Sequence, residues 1–299
     1  MPAEANPAWE QQLLAQAQQA LHSATNTPPP PAQLTLLSDR RAVADAQTVY
    51  RLGDAHVLKV SPSAFPDASA EEVERMHVLK QRLGESAGRV VLDVLGQGRV
   101  QGRSFFIVPH CRPLATGRIR WRLARWGVRG ELLGWLREVC LVADAPDADT
   151  QAEFLTSLAA LEQLDALPHD LREAARHMAQ RLHAGTLQAR HVPMHGDLWT
   201  ANMMRQRDGR LALIDWGGAT PRGYAIYGLI RAADSLGIPR RTLARELRWH
   251  GERLGDAREA PMLHLLGALG HYARHLGEFP LERFVQMAQR CHHMLRAAQ

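Results

Sequence analysis

Three rhythms of apolar and polar residues follow one another along the chain. Over residues 8–22 (AWEQQLLAQAQQALH) apolar positions recur at helical spacing among Ala and Gln, which predicts a helix. The run Thr27–Ala32 (TPPPPA) ends that pattern as a stiff spacer. From Leu34 to about Val108 the chain reads as short strands: LTLLS, TVYRL, HVLKVS, RVVLDVL and SFFIVP. Turn signals at Gly53-Asp54, Gly96-Gln97-Gly98 and Gly102 separate several of them, and one helix, about Ser69–Leu83, interrupts the series. Beyond Pro113 a helical rhythm takes over, with helices predicted over 131–142, 151–164, 168–187, 239–254, 261–276 and 280–297. A single strand pair is set among them, Asn202–Arg205 and Arg210–Ile214, joined by the hairpin signal Asp208-Gly209. The layout is a helix and Pro-rich spacer over 1–33, a small β-rich lobe over 34–108 and a larger helical lobe over 109–299.

Composition narrows the class. With 299 residues, 45% of them hydrophobic, the chain is long enough for one large domain or two lobes with a real core. A charged fraction of 22% excludes wholesale disorder. No run approaches the roughly eighteen apolar residues of a spanning helix. Met1–Glu10 lacks the basic and apolar regions of a secretory signal. Three scattered cysteines, Cys111, Cys140 and Cys291, make neither a disulfide framework nor a zinc cluster and fit a cytoplasmic protein. The net charge of +5 suits an anionic partner without choosing one. Only two of the 36 basic residues are lysine, Lys59 and Lys80, so a lysine invites the question of why arginine did not serve there.

The stretch Met194–Gly218, MHGDLWTANMMRQRDGRLALIDWGG, carries the chemistry. It holds His195-x-Asp197, then Asn202, then Asp215 after a strand. Phosphoryl transfer requires a group that orients the attacking hydroxyl and takes its proton, and oxygen ligands for the divalent metal on the phosphates. Asp197 suits the first task; Asn202 and Asp215 suit the second, because carboxylate and amide oxygens are hard ligands. The hairpin between them turns the chain back, so that Asp215 can return to the edge of Asn202. Upstream, Lys59 lies on an alternating strand in HVLKVS, where a compact ammonium suits nucleotide phosphates better than a guanidinium fork. The helix SAEEVERMHVLKQRL offers Glu71, Glu72 and Glu74 as its partner. Glu72 is preferred, because Met76 and Leu79 follow at core-facing spacings.

HGDxxxxN followed by IDW resembles the aminoglycoside phosphotransferase and choline kinase family, over about residues 34 to 235. The resemblance implies a two-lobed, protein-kinase-like α+β fold with a β-rich N-lobe and a helical C-lobe. It implies ATP-dependent transfer of the γ-phosphoryl group, with Mg²⁺, to a hydroxyl of a sugar, amino alcohol or aminoglycoside-like molecule. It gives Asp197 the role of base, His195 that of loop brace, Asn202 and Asp215 the metal, and Lys59, oriented by Glu72, the nucleotide phosphates. The hinge around Pro109–Arg112, with Pro109 and Cys111, would receive adenine; Pro109 can offer only its carbonyl.

The chain departs from the family pattern in three places. The loop Asp39–Gln47 has no glycine. Gly228-Leu229 stands where the family has an Asp-Leu pair that braces the catalytic loop, so another group must do so. The leader at 1–33 has no family counterpart. Two rivals remain: a protein kinase, disfavoured by Gly196 and the absence of an APE-like segment, and a catalytically weak or dead nucleotide-binding scaffold. The scaffold reading draws on residues 116–139, where six arginines and three tryptophans precede or flank Glu131 and Glu138. That segment suits an anionic membrane surface, or simply packs its tryptophans with arginines outward; nucleic acid is disfavoured. Gly96-x-Gly98-x-x-x-Gly102 reads as hairpin turns rather than a dinucleotide fingerprint. His264, His271 and His275 read as a histidine row rather than a metal site, and Cys291-His292-His293 is weaker still.

Overall fold

The computed structural model describes residues 7–25, 33–38, 46–114, 118–277 and 279–299. The Thr27–Ala32 spacer and most of the glycine-free loop, 39–45, lie outside them, as do 115 and the first two residues, 116–117, of the arginine-rich segment. The chain divides into two compact units: residues 1–80, 89–115 and 203–217 form the first, and 81–88, 116–202 and 218–299 the second.

The first unit is built on five strands, β1 (Leu34–Ser38), β2 (Thr48–Leu52), β3 (His56–Val60), β4 (Gly96–Val100) and β5 (Arg103–Pro109), in the antiparallel order β1-β2-β3-β5-β4. Alternation buries Leu58 and Val60 on one face of β3 and leaves Lys59 on the other. The helix of the leader, α1 (Pro7–Thr25), covers the sheet's apolar face. Its Leu13, Ala17 and Leu21, four residues apart, are buried with Tyr50, Leu52, Leu58, Val60, Val100, Phe105 and Ile107. The leader is therefore part of this unit's core.

That packing corrects the reading of the glycines. Gly96 and Gly98 do not mark a turn; they lie in β4, opposite Ile107 and Phe105. A Cβ at Gly96 would meet the Ala20 backbone of α1 at 3.2 Å, and one at Gly98 would press on the Phe105 ring at 2.8 Å. Glycine here serves close approach rather than chain reversal; the reversal comes at Gln101-Gly102, both at positive φ. RVVLDVL, in turn, is not a strand. Val90 and Val91 are buried, but the segment makes only an isolated bridge from Val91 to Leu213. The unit also contains β6 (Arg112–Pro113), β8 (Met203–Arg205) and β9 (Leu211–Leu213), in the order β6-β8-β9. Met203 pairs with Leu213, so the Asp208-Gly209 hairpin forms as expected.

Helix α2 (Ala68–Gly88) begins in this unit and breaks at Gly84, where φ is 68°, close to its predicted end. Its first turn is docked by two serines of the sheet. Ser61 Oγ accepts from the Ser69 N–H at 2.8 Å, Ser104 Oγ from the Ala70 N–H at 3.1 Å, and the two hydroxyls are 2.7 Å apart. These bonds satisfy orphan N–H groups that a helix start leaves open.

The second unit is mainly helical: α3 (Arg118–Leu141), α4 (Ala148–Gln163), α5 (His169–His183), α6 (Ala225–Leu236), α7 (Arg240–Leu254), α8 (Ala260–Arg274) and α9 (Leu281–Ala298). The predicted helix at 131–142 is the second half of α3, and α6, which holds Gly228-Leu229, has no counterpart among the helices that periodicity predicts. Nor is the hairpin the single strand pair beyond Pro113, because β7 (Val192–Met194) pairs antiparallel with β10 (Thr220–Gly223) in this unit. Helix α6 stops at Gly237, at φ 59°. There Arg129 of α3 donates to the Leu236 and Gly237 carbonyls at 2.6 Å each, a cation at the negative end of a helix. Of the α3 tryptophans, Trp135 is buried with Nε1 on the Ala87 carbonyl at 2.8 Å, while Trp126 is 77% exposed. Among the described residues no helix is long and apolar enough to cross a membrane.

Candidate active site

Lys59, Glu72 and Asp215 come together in the first unit. The docked start of α2 sets Glu72 one turn in, opposite Lys59 of β3. Lys59 Nζ lies 2.8 Å from both Glu72 oxygens, and Glu72 is 1% exposed. Glu71 is instead on the surface, paired with Arg75 at 3.1 Å. Glu72 Oε1 also accepts the Trp216 backbone N–H at 3.0 Å. One buried carboxylate thus holds the lysine and the peptide that follows Asp215. Trp216 itself is buried, with Nε1 on the Leu213 carbonyl at 2.9 Å. Asp215 sits at φ 67°, unusual for a residue with a Cβ, and its side chain remains half-exposed with Oδ1 3.4 Å from Lys59 Nζ.

Pro109 and Cys111 lie where β5 leaves the sheet. The His110 N–H between them is taken by the Ala55 carbonyl at 2.8 Å. Cys111 is buried with Sγ 3.7 Å from the Pro109 carbonyl, and burial raises its thiol to about 11. At this position Cys111 has a backbone to offer rather than a thiolate.

His195, Asp197 and Asn202 come together in the second unit, on the loop after β7. Gly196 takes φ 86°, and a Cβ there would overlap the Gly218 carbonyl, so only glycine fits between the histidine and the aspartate. His195 is buried, and its Nδ1 accepts the Asp197 N–H at 3.3 Å. Asp197 Oδ2 accepts from Trp199 Nε1 and from Asn202 Nδ2, both at 3.0 Å. Asn202 Nδ2 also donates to the Asp197 carbonyl at 2.9 Å. The amide nitrogen is thereby committed to the loop, and the amide oxygen is the end that a hard cation would use. The other carboxylate oxygen, Asp197 Oδ1, lies 3.9 Å from Arg231 Nη2 of α6.

Sequence reasoning missed Trp199, Arg231, Ser61 and Ser104. Trp199 lies inside the motif and its indole donor was a visible signal; the others depend on contacts that no local spacing encodes. At the Gly228 departure, the nearest neighbour of a would-be Cβ is Leu198 of the same loop, at 3.5 Å. Among the described residues no group of three or more His, Cys, Asp or Glu could hold a metal ion. Asp215 in the first unit and the Asn202 amide in the second each offer an oxygen of the hard type that Mg²⁺ takes, and that ion commonly uses one or two protein oxygens beside phosphates and water. The His271 and His275 rings lie tilted against each other with centroids 4.6 Å apart, and the Phe154 ring meets that of the buried His264 edge-on at 5.2 Å.

The Phosphotransferase enzyme family model matches residues 37–263. A search among curated proteins found no significant match. Among solved structures, an aminoglycoside phosphotransferase mutant in ternary complex with AMP-PNP and hygromycin B is 17% identical, with TM-score 0.56 over 94% of this chain and 98% of that one. The putative fructosamine-3-kinase of Haemophilus somnus is 11% identical, with TM-score 0.58 over 96% and 99%. A choline/ethanolamine kinase family protein of Mesorhizobium loti is 14% identical, with TM-score 0.51 over 95% and 98%. At these identities the likeness is one of fold, and that fold is the protein-kinase-like α+β arrangement that the sequence implies.

Proposed function

The chain belongs to the phosphotransferase enzyme family, and on that premise we propose that it moves the γ-phosphoryl group of ATP to a hydroxyl of a small molecule such as a sugar, an amino alcohol or an aminoglycoside-like compound. The observation that carries the reading is Lys59 held by the buried Glu72, whose oxygen also fixes the peptide after the exposed Asp215. Lys59 would bind the nucleotide phosphates as a point charge, with Glu72 setting its direction. Asp215 and the Asn202 amide oxygen would hold Mg²⁺, which when bound neutralises charge on the phosphates. Asp197 would orient the acceptor hydroxyl and take its proton. Its Oδ2 already accepts from Trp199 and Asn202, which favours Oδ1 for that task. His195 keeps the loop in shape, and the Pro109–Cys111 backbone would meet the adenine edge. Solved relatives support the nucleotide and small-molecule parts of this reading, since one carries AMP-PNP with hygromycin B and another carries GDP.

The test is a thermal-shift titration with MgATP, followed by ATP consumption over a panel of sugars, amino alcohols and aminoglycosides. The wild type should be stabilised by about 2.7 kcal/mol at a hundredfold excess over Kd, and Asp215→Ala should lose that stabilisation. Asp197→Ala should keep it while turnover falls about a hundred- to ten-thousandfold. Absence of stabilisation at millimolar MgATP, or normal turnover in either variant, overturns the reading.

A further inference from the structure

The peptide that joins Gly196 to Asp197 is held at both ends by side chains. At its oxygen, the Tyr272 hydroxyl of α8 donates to the Gly196 carbonyl at 2.9 Å. At its nitrogen, the Asp197 N–H donates to His195 Nδ1 at 3.3 Å. The Gly196 Cα is closed in by the Gly218 backbone. A peptide plane fixed in this way cannot rotate without breaking a hydrogen bond, and its rotation sets the direction in which the next residue presents its side chain. That next residue is Asp197.

We propose that the Tyr272 hydroxyl is a positioning residue that holds the Gly196–Asp197 peptide and so aims the Asp197 carboxylate, doing the bracing for which position 228 has no carboxylate. The role rests on the phosphotransfer reading above. Gly228 of α6 approaches this loop only at Leu198 and has no side chain to contribute. Tyr272 is well placed to serve instead. It stands on a helix set firmly against its neighbour, since a Cβ at Gly270, two residues earlier, would overlap the Ser157 carbonyl of α4. Its ring packs on Tyr227 with centroids 5.0 Å apart and on His271 at 5.7 Å, so the ring keeps its place when the hydroxyl is removed. Burial holds the phenol well above its ordinary titration range, with Tyr227 and Asp197 acting in the same direction against Arg231. The hydroxyl therefore stays a protonated donor across the neutral pH range. Tyr227 supplies an internal control, because its own hydroxyl points to Met287 Sδ at 3.3 Å and not to the loop.

The experiment compares Tyr272→Phe and Tyr227→Phe with the wild type, using MgATP and the best acceptor of the panel above. Tyr272→Phe should lower kcat about tenfold or more, the scale on which misplaced catalytic groups act, with KM for ATP and MgATP stabilisation within twofold of wild type. Tyr227→Phe should stay within twofold on all counts. Hydrogen exchange should show the backbone of residues 194–199 opening faster in Tyr272→Phe alone. Unchanged kcat, unchanged exchange, or an equal loss in Tyr227→Phe overturns the role while leaving the phosphotransfer reading in place. A fall in kcat that comes with a matching rise in KM and loss of thermal stability marks a merely structural bond and also overturns it. A wild type that binds and turns over no ATP overturns both.

Discussion

The Lys59–Glu72 pair makes an asymmetric prediction about stability. Removing the lysine charge with Lys59→Met leaves a carboxylate whose side chain is 2% exposed, with the Trp216 N–H as its remaining donor. Removing the carboxylate charge with Glu72→Gln leaves an ammonium that is 13% exposed and still 3.4 Å from Asp215. The glutamine keeps an oxygen for Trp216 as well. The first change strands a buried ion, a loss of about 3–5 kcal/mol. The second weakens charge-assisted bonds without stranding the survivor, a loss of about 1.5–3 kcal/mol. The double variant, Lys59→Met with Glu72→Gln, removes the stranded charge and should be more stable than Lys59→Met alone. Its loss should therefore fall short of the summed single losses by more than the Glu72→Gln loss itself, about 2–3 kcal/mol, the upper end for directly contacting partners. Equilibrium urea unfolding followed by circular dichroism measures all four corners of this cycle. Equal losses in the two single variants, or strict additivity, would show that Glu72 does not depend on Lys59 for its burial and would refute the reasoning.

Two further outcomes follow from other parts of the chain. His264 has both ring nitrogens without a hydrogen-bond partner, and burial, with His191, His250 and Arg190 acting the same way, lowers its pKa to about 3. The unfolded imidazole binds a proton below about 6.5 and the native one does not, so stability falls as pH drops from about 6.5 towards 3; His264→Leu should remove on the order of 3 kcal/mol of the difference between about pH 7 and pH 4, and a pH profile of urea midpoints parallel to wild type would refute this. Leu13 of α1 is fully buried against the sheet, so Leu13→Ala should cost about 2–5 kcal/mol; a loss below about 0.5 kcal/mol, the scale of a surface change, would show that the leader is not part of the core.

Much of the first unit's sheet and the motif residues were legible because their signals are local. HVLKVS alternates, and a rare lysine on its open face stands out against a background of arginine. The spacings from His195 to Asn202 and on to Asp215 lie within one short stretch around a hairpin. What escaped notice depends on tertiary contact. Gly96 and Gly98 look like turn residues until α1 and Phe105 are seen pressing on them. RVVLDVL has the apolar content of a strand, but β4 and β3 already occupy both edges of β5, so it remains extended with a single bridge. Helix α6 opens directly after the turn-like TPRG and holds Gly228, which blur its local signal, while the burial of its own Ile226, Leu229 and Ile230 secures it in the unit. Tyr272 and Ser104 carry no signature near the groups they hold.

The proposed enzyme and a disabled scaffold would differ in what they keep. A scaffold gains nothing from an ion pair at 59 and 72, since well-packed apolar residues at such a pair are often neutral or stabilising. It gains nothing from Asp215 at positive φ with its carboxylate in solvent, where glycine or asparagine would sit with less strain. It has no use for Gly196 wedged against Gly218, which admits no side chain. Each bears on the direction of a charged group: Lys59, Asp215 or Asp197. Their coexistence is what a site selected for orientation would retain, and the Tyr272 contact offers the support that position 228 lacks.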